Sequence, residues 1–507
     1  MANTNMFSRE QVSRCFLCPE PQCSASCPHG SDPGKLLRSA YFDNELGAAL
    51  SETDFSLCEN CVAPCEKACV NEEAPIGIRS FMRSLGHGRD KLADNLDIFD
   101  QEVDLSCTFC GYKLENPFLL SSSVVASSYE KLARAFDMGW AGASYKTICD
   151  FIPQETSPRY AAVTDGGRFG GFKNIEQLSQ GSLEEDLDII RRIKKDYPTK
   201  LIIASIMGRD EAEWERLSHL VEEAGADIVE CNFSCPNMEE NGLGVDIGQD
   251  PEAISRFTRA CRRGCTSPIL AKLTPNVASM VPMAEAAMEA GADGIAAINT
   301  IKSLMKPNLE TFVTEPSVGN RSGIGGYSGR AVKPIALRHI CEVASDPKIR
   351  PVSISGMGGI NTWIDAVEFI ILGANNVQVT TSVMEYGYRI IDDLIDGTKR
   401  YLQLKGMRSI EELYGKGLEK VVDLDQLDRT TIEYPKFHPK RCAGCGRCSV
   451  SCRDGGHEAI TMRDGRPYLD PDKCVGCHLC TYVCPRSAIT ASGTRRYSRY
   501  HRNIGKA

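Results

Sequence analysis

At 507 residues the chain is long enough for two to four domains. Its 42% apolar and 25% charged residues exclude a disordered or fibrous chain, and a net charge of −9 leaves no cation surplus for a nucleic-acid backbone. No apolar run approaches the roughly 20 residues of a membrane helix, and the start lacks a signal peptide's apolar core, so a cytoplasmic protein is expected. The 24 cysteines are clustered: eight lie within 15–69, eight within 442–484, and eight are spread over the 372 residues between. In a reducing compartment such clusters predict metal centres before disulfides.

The first element in chain order is a cysteine-rich region, assigned to residues 1–100. It reads Cys15-x2-Cys18-x4-Cys23-x3-Cys27, then Cys58-x2-Cys61-x3-Cys65-x3-Cys69. Eight thiols at these spacings fit two [4Fe–4S] clusters, with zinc as the competing metal. Cys15-Phe-Leu-Cys-Pro-Glu-Pro-Gln-Cys-Ser-Ala-Ser-Cys-Pro28 and Cys61-Val-Ala-Pro-Cys-Glu-Lys-Ala-Cys69 resemble the helical iron–sulfur domain of the glutamate synthase small subunit and of dihydropyrimidine dehydrogenase. The resemblance implies one cluster on Cys15, Cys18, Cys23 and Cys69, and another on Cys27, Cys61 and Cys65. A glutamine completes the second cluster in dihydropyrimidine dehydrogenase. Met82 falls near that place here, and a thioether is a poor ligand, so Cys58 is the expected replacement.

The middle, assigned to residues 101–405, alternates short apolar runs with amphipathic stretches. The predicted strands are Phe118–Ser123, Gly142–Lys146, Leu201–Ile206, Ile228–Asn232, Ile269–Leu273, Gly294–Ile298, Pro351–Ile354 and Asn376–Val379. Helices are predicted between them, as at Leu183–Asp196, Glu211–Glu223 and Val281–Glu289. Unbroken apolar strands between such helices imply a parallel sheet covered by helices, and eight units fit a TIM (β/α)8 barrel. Glu223-Ala-Gly-Ala-Asp227 and Glu289-Ala-Gly-Ala-Asp293 echo each other, with Leu372-Gly-Ala-Asn375 nearly so; each glycine is read as a left-handed helix end. Residues 147–199 and 299–350 read as two long loops at the strands' C-terminal mouth, where such barrels place their sites. Cys107 and Cys110 read as chance or surface thiols. Cys149, Cys231, Cys261, Cys265 and Cys341 read as core fillers.

A linker is expected over 406–435, and a ferredoxin-like domain over 436–490. The latter holds Cys442-x2-Cys445-x2-Cys448-x3-Cys452 and Cys474-x2-Cys477-x2-Cys480-x3-Cys484-Pro485. Three thiolates of each run hold three corners of one [4Fe–4S] cube, and the fourth serves the other cube. The expected ligand sets are Cys442, Cys445, Cys448 and Cys484, and Cys474, Cys477, Cys480 and Cys452. Arg453 stands where a proline is usual. Residues 491–507 read as a solvated basic tail. Four clusters move single electrons, so the middle domain is expected to hold a flavin, which trades one electron for two.

Asn174-Ile-Glu176, Ala204-Ser-Ile-Met207, Asn232-Phe-Ser-Cys-Pro236, Ala271-Lys-Leu-Thr-Pro-Asn276, Asn299-Thr300 and Gly325-Gly-Tyr-Ser-Gly329 together resemble the FMN barrel of dihydropyrimidine dehydrogenases, in particular the FMN/iron–sulfur subunit of the bacterial NAD-dependent form. Asn-x-Ser-Cys-Pro is shared with class 1 dihydroorotate dehydrogenases; Asn174-Ile-Glu176 and the iron–sulfur ends tilt the reading to uracil and thymine. The resemblance implies reversible reduction of the pyrimidine 5,6-bond, with hydride from FMN N5 to C6 and a proton from Cys235 to C5. The animal enzyme has histidine two residues after this cysteine; here Asn237 stands there. Lys146 and Lys272, at strand ends, can stabilise charge on the reduced flavin's N1–C2 edge. Gly358-Gly359 and Thr380-Thr381 form the usual barrel phosphate site. Ser122, Ser123, Thr147 and Gly329 line the flavin by resemblance, while Asn174, Glu176, Asn232, Ser234, Asn299 and Thr300 pair with the substrate's amide and carbonyl edge.

Gly323-Ile-Gly-Gly-Tyr-Ser-Gly329 opens no βαβ unit and has no acidic partner about 20 residues on, so it is no dinucleotide fingerprint. Electrons are therefore expected from a separate FAD/NAD(P)H flavoprotein or a ferredoxin. A homodimer, or a heterotetramer with that flavoprotein, is implied by resemblance. Two rival readings stand: a dihydroorotate dehydrogenase-like flavoenzyme, and an electron-transfer subunit of a larger complex.

Overall fold

The computed structural model describes residues 12–165, 168–235 and 245–497, and divides at residue 419 into two compact units. In the first unit eight strands close a parallel barrel: β1 Phe118–Leu120, β2 Gly142–Ile148, β3 Leu201–Ile206, β4 Ile228–Asn232, β5 Ile269–Lys272, β6 Gly294–Ala297, β7 Ser353–Met357 and β8 Asn376–Val379. β8 pairs with β1, and β5 with β6, closing the ring. The helices Leu183–Asp196, Glu211–Glu223 and Val281–Glu289 stand where the apolar spacing places them. The (β/α)8 class is thus the observed one.

The echoed Gly-Ala-Asp segments have a shared structural job. Gly225, Gly291 and Gly373 carry φ of +97°, +103° and +104°, ending a helix in a conformation that side chains rarely adopt. The next polar residue then clamps the neighbouring strand from both sides. Asp227 N–H donates to Ile202 O at 2.9 Å, and its carboxylate accepts from Ile202 N–H at 2.8 Å. Asp293 does the same to Ile269, and Asn375 to Ile354, each at 2.8 Å in both directions. The repeat therefore sets strand register three times around the barrel.

Three expectations are corrected in the barrel. The seventh strand is Ser353–Met357, not Pro351–Ile354; its inward Ser355 interrupts the apolar run that marked the others. The two long mouth loops are not irregular: strands Tyr160–Asp165 and Arg168–Asn174 from one join Ile301–Ser303 and Gly325–Ser328 from the other in a four-stranded antiparallel sheet. Cys107 and Cys110 are not surface thiols. They belong to the hairpin Cys107–Phe109 and Tyr112–Leu114, turned by Cys110 and Gly111 at φ +46° and +84°. Cys107, Phe109 and Leu114 pack with Leu119, Ile203, Ile228 and Leu270 at the foot of the barrel. Burial pushes both thiols up to about 12. Cys149, Cys231, Cys261, Cys265 and Cys341 are buried, as expected of core residues.

The stretch expected as linker begins as part of the barrel foot: Ile410 and Leu413 are buried in the same cluster, and Asp104 N–H donates to Arg408 O at 2.8 Å. In the second unit Thr431–Phe437 pairs antiparallel with Ile489–Tyr497. The supposed linker end and tail start are thus strands, formed by apolar–polar alternation such as Thr431-Ile-Glu-Tyr434. Residues 498–507 lie outside the described residues. No helix among the described residues is long and apolar enough to cross a membrane.

Residues 12–100 are helical, with Pro33–Tyr41 and Ile78–Asp90 packed around Leu36, Leu37, Phe81 and Leu85. Met82 is buried in this core, which gives the thioether a packing role. Polar ties fix this region to the barrel: Arg38 to Asp392 and Asp393 at 2.9 and 3.1 Å, Trp363 Nε1 to Asp43 O at 3.0 Å, and Arg389 to Leu17 O and, at 3.1 Å, Cys18 O.

One packing contact reaches toward the barrel mouth. Trp214 is fully buried, with its ring 5.3 Å from Phe233 and 5.8 Å from Phe257. Phe233 lies between Asn232 and Ser234. Trp214→Ala is expected to cost about 3–5 kcal/mol of stability, read as a lowered thermal unfolding midpoint.

Candidate active site

A cavity opens at the C-terminal ends of the barrel strands, roofed by the four-stranded sheet. Of the sequence-predicted residues, Ser122, Ser123, Lys146, Thr147, Asn174, Glu176, Asn232, Cys235, Lys272, Asn299, Thr300, Gly358, Gly359, Thr380 and Thr381 all line it. Fifteen residues from eight chain segments thus converge on one space. Ser234 and Gly329 do not line it. Ser234 is fully buried behind the wall: its hydroxyl donates to Asn232 Oδ1 at 2.9 Å and accepts from Asn299 Nδ2 at 2.8 Å. It orients two lining amides instead of facing the cavity. At Gly329, φ is +110°, and a Cβ would stand 2.5 Å from Gly171 Cα. Its place is a close backbone crossing beneath the roof, which any side chain would force apart.

The walls form one hydrogen-bonded network. Thr147 Oγ1 accepts from Asn232 Nδ2 at 2.9 Å and contacts Ser205 Oγ at 2.9 Å and Ser122 Oγ at 3.1 Å. Asn276 holds Thr274 Oγ1 at 2.8 Å and Thr300 O at 3.2 Å, and accepts from Lys302 N–H, fixing the segment that carries Asn299 and Thr300. Side chains so tied keep their orientation without a ligand.

Charge is placed in two groups, the first of which also brings Arg159 Nη1 to 3.4 Å from Glu176 Oε1. Lys146 Nζ lies 3.0 Å from Glu176 Oε1, and Tyr160 donates to Glu176 Oε2 at 2.8 Å. Burial and this bond raise the Tyr160 hydroxyl above its ordinary value. Lys272 Nζ lies 3.5 Å from Glu230 Oε1 inside the barrel. Sequence reasoning missed Tyr160, Phe172, Tyr327 and Gln378, all cavity-lining, and Glu230 beneath. Phe172 and Tyr327 stand in short strands, Arg168–Asn174 and Gly325–Ser328, whose paired glycines break any alternating pattern.

The donor set suits FMN. Two lysines face a cavity whose walls combine hydroxyls and amides with apolar side chains such as Ile298, Met357 and Val379. At one end the hydroxyls of Ser123 and Thr380 meet at 3.2 Å, and Thr381 Oγ1 donates to Ser328 Oγ at 3.1 Å. Beside them Gly359 at φ +81° leaves its backbone bare; a Cβ there would meet Lys333 Cβ at 2.8 Å. Backbone amides and hydroxyls at this end can hold a phosphate.

The cysteine-rich ends gather their thiols as the sequence pairs them. Cys15, Cys18, Cys23 and Cys69 line one hollow, and Cys442, Cys445, Cys448 and Cys484 another, so each brings in a distant fourth thiol. Burial, then proximity to Cys27 and Cys61, pushes the Cys58 thiol up, and Cys65 is raised to about 11 by burial, Glu66 and the same two thiols. Cys58 and Cys65 thus each stand near Cys27 and Cys61. Likewise Cys474 is raised by burial and then by Cys452 and Cys477. Among the described residues no three His, Cys, Asp or Glu converge on a single metal ion. Backbone N–H groups of Ala63, Gly444, Gly476 and Ala488 donate to cysteine sulfurs at 3.2–3.4 Å, a contact that tunes cluster potential. Cys58→Ala is expected to lower iron by about four per chain, checked by metal analysis and the reduced-cluster EPR spectrum; full iron with an unchanged spectrum would remove Cys58 from the ligands.

Asn237 and Pro236 lie outside the described residues. The dihydroorotate dehydrogenase family matches residues 104–402, and a 4Fe-4S dicluster domain matches residues 436–491. The chain is 51% identical over 389 residues to the NAD-dependent dihydropyrimidine dehydrogenase subunit PreA of Escherichia coli K12, covering 76% of this chain and 95% of that one. It is 38% identical over 353 residues to the chloroplastic dihydropyrimidine dehydrogenase (NADP(+)) of Arabidopsis thaliana, covering 66% and 83%. It is 36% identical over 315 residues to the catalytic subunit of dihydroorotate dehydrogenase B (NAD(+)) of Pyrococcus abyssi, covering 62% and 99%.

Proposed function

The chain belongs to the dihydropyrimidine dehydrogenase family of flavin and iron–sulfur oxidoreductases, and from that premise we propose that it reduces the 5,6-double bond of uracil or thymine, reversibly. Bound FMN supplies the hydride, from N5 to ring carbon C6. The chain's own residues supply the rest. Cys235 holds the proton for C5 at its Sγ, on the cavity wall just past β4. Asn174, Asn232, Asn299 and Thr300 offer amides and a hydroxyl to a ring whose edge alternates N–H and C=O, and Ser234 acts behind them by fixing Asn232 and Asn299. Lys146 and Lys272 offset negative charge at the flavin's N1–C2 edge. Gly358, Gly359, Thr380 and Thr381 would hold its phosphate, and Ser122, Ser123 and Thr147 would border the flavin. Electrons come from a separate FAD/NAD(P)H flavoprotein or ferredoxin through four [4Fe–4S] clusters.

The observation that carries the choice of substrate is Glu176. A carboxylate on the cavity wall, its charge shared with Lys146 at 3.0 Å and Arg159 at 3.4 Å, can accept a hydrogen bond from a neutral ring N–H, which fits the uracil and thymine ring. The presence of Cys235 and a lined cavity weighs against a purely electron-relaying barrel. Titrating the oxidised protein with uracil, thymine and orotate, and following the flavin absorbance, tests this. Uracil and thymine are expected to perturb the spectrum at lower concentration than orotate; tighter orotate binding would overturn the choice. Glu176→Gln is expected to narrow the gap.

A further inference from the structure

Glu230 lies in β4, on the same inward face as Asn232 two residues further on. It is fully buried, and neither carboxyl oxygen has a hydrogen-bond partner among the described residues. The cation facing it is Lys272 Nζ, 3.5 Å from Oε1. Strand pairing explains the meeting: Asn232 stands opposite Lys272 in the register, and Glu230 opposite Leu270, so Glu230 sits one inward layer below the lysine that borders the cavity.

Packing does not require a carboxyl there. Barrel interiors are filled by branched apolar side chains, as Ile203, Ile228 and Leu270 fill the layer below. A buried ion pair without further hydrogen bonds contributes little to stability compared with an apolar replacement. Its electrical effect is large for the same reason, since charges that close are weakly screened in a dry interior. We infer that Glu230 is the counter-charge of Lys272, a positioning residue that anchors the ammonium from beneath and sets how much positive charge the flavin's pyrimidine edge experiences. This rests on the assignment of Lys272 to that edge.

The sign follows directly. Reduced flavin carries the added negative charge, and an ammonium relieved of its carboxylate favours it more strongly. Glu230→Gln keeps shape and polarity and removes the charge. The experiment is a spectroelectrochemical titration of the flavin in the full-length holoprotein, with flavin content and thermal unfolding measured alongside. Glu230→Gln is expected to favour reduced over oxidised flavin at least tenfold, a shift of about 30 mV to more positive potential for a two-electron couple. In a Lys272→Met background the same substitution is expected to change the ratio less than threefold, because the charge it uncovers is gone. If the Gln variant fails to accumulate, Glu230→Asp is used; it withdraws the charge from Lys272 and is expected to move the ratio at least twofold in the same direction. An unchanged potential in the Glu230 variants, with a lowered potential in Lys272→Met, would overturn the inference and leave the lysine assignment standing. An unchanged potential in Lys272→Met would overturn the lysine assignment itself, and the inference with it.

Discussion

Replacing Cys235 by alanine is expected to lower uracil turnover by roughly 10²- to 10⁴-fold, the range lost with a positioned proton donor, while FMN stays bound. The thiol is nearly buried yet lines the cavity, and its backbone continues from a wall braced by Asn232, Ser234 and Asn299. Alanine removes the proton and leaves that bracing in place, so the loss should fall on kcat and not on flavin content. Serine fits the same space, but its hydroxyl releases a proton far less readily than a thiol, so Cys235→Ser is expected between alanine and the native chain. Steady-state turnover with a reduced dye donor, set beside flavin content, checks this. Undiminished kcat in Cys235→Ala would remove the acid role.

Cys484→Ala is expected to abolish the cluster held by Cys442, Cys445 and Cys448 and to spare the one nearest it in sequence. Cys484 shares a hollow with those three thiols, and burial, then backbone bonds, then Cys442 and Cys484 set the raised position of the Cys448 thiol. Cys452→Ala is expected to do the converse, since Cys452 stands with Cys474. Each variant should lose about four irons per chain and one of two reduced-cluster EPR components. Loss of the same component in both variants would contradict crossed ligation. Under the proposed relay through the clusters, turnover with a physiological donor should fall further than turnover with a small dye.

The barrel was legible because most of its strands are rich in apolar residues, and seven of them are buried on both faces. The eighth in doubt, β7, was displaced in the reading because Ser353 and Ser355 interrupt its run. The mouth sheet was hidden for a different reason: its strands meet across more than a hundred residues, and Gly170-Gly171 and Gly325-Gly326 look like loop. The glycines there serve a close crossing, seen in the 2.2 Å that a Cβ on Gly171 would leave to Ser328 O. Most site residues were legible through resemblance of short motifs. Ser234 and Gly329 were placed in the cavity because a motif marks proximity and not which way a residue faces. Glu230 was passed over inside an apolar strand, since a lone carboxyl in Ile228-Val-Glu-Cys231 gains meaning only when Lys272 is set against it in space. The gathering of Cys15, Cys18, Cys23 and Cys69, and of Cys442, Cys445, Cys448 and Cys484, follows the spacing and the resemblance, while Cys58 as a ligand is a proposal.

The most direct test of pyrimidine reduction is made anaerobically on the purified full-length chain loaded with FMN and iron. A reduced viologen supplies electrons, uracil, thymine and orotate are offered separately, and the dihydro products are quantified by mass spectrometry. Dihydrouracil and dihydrothymine are expected to form, with little or no dihydroorotate. Dihydroorotate as the main product, or no product from any of the three with flavin and iron both present, would contradict the account.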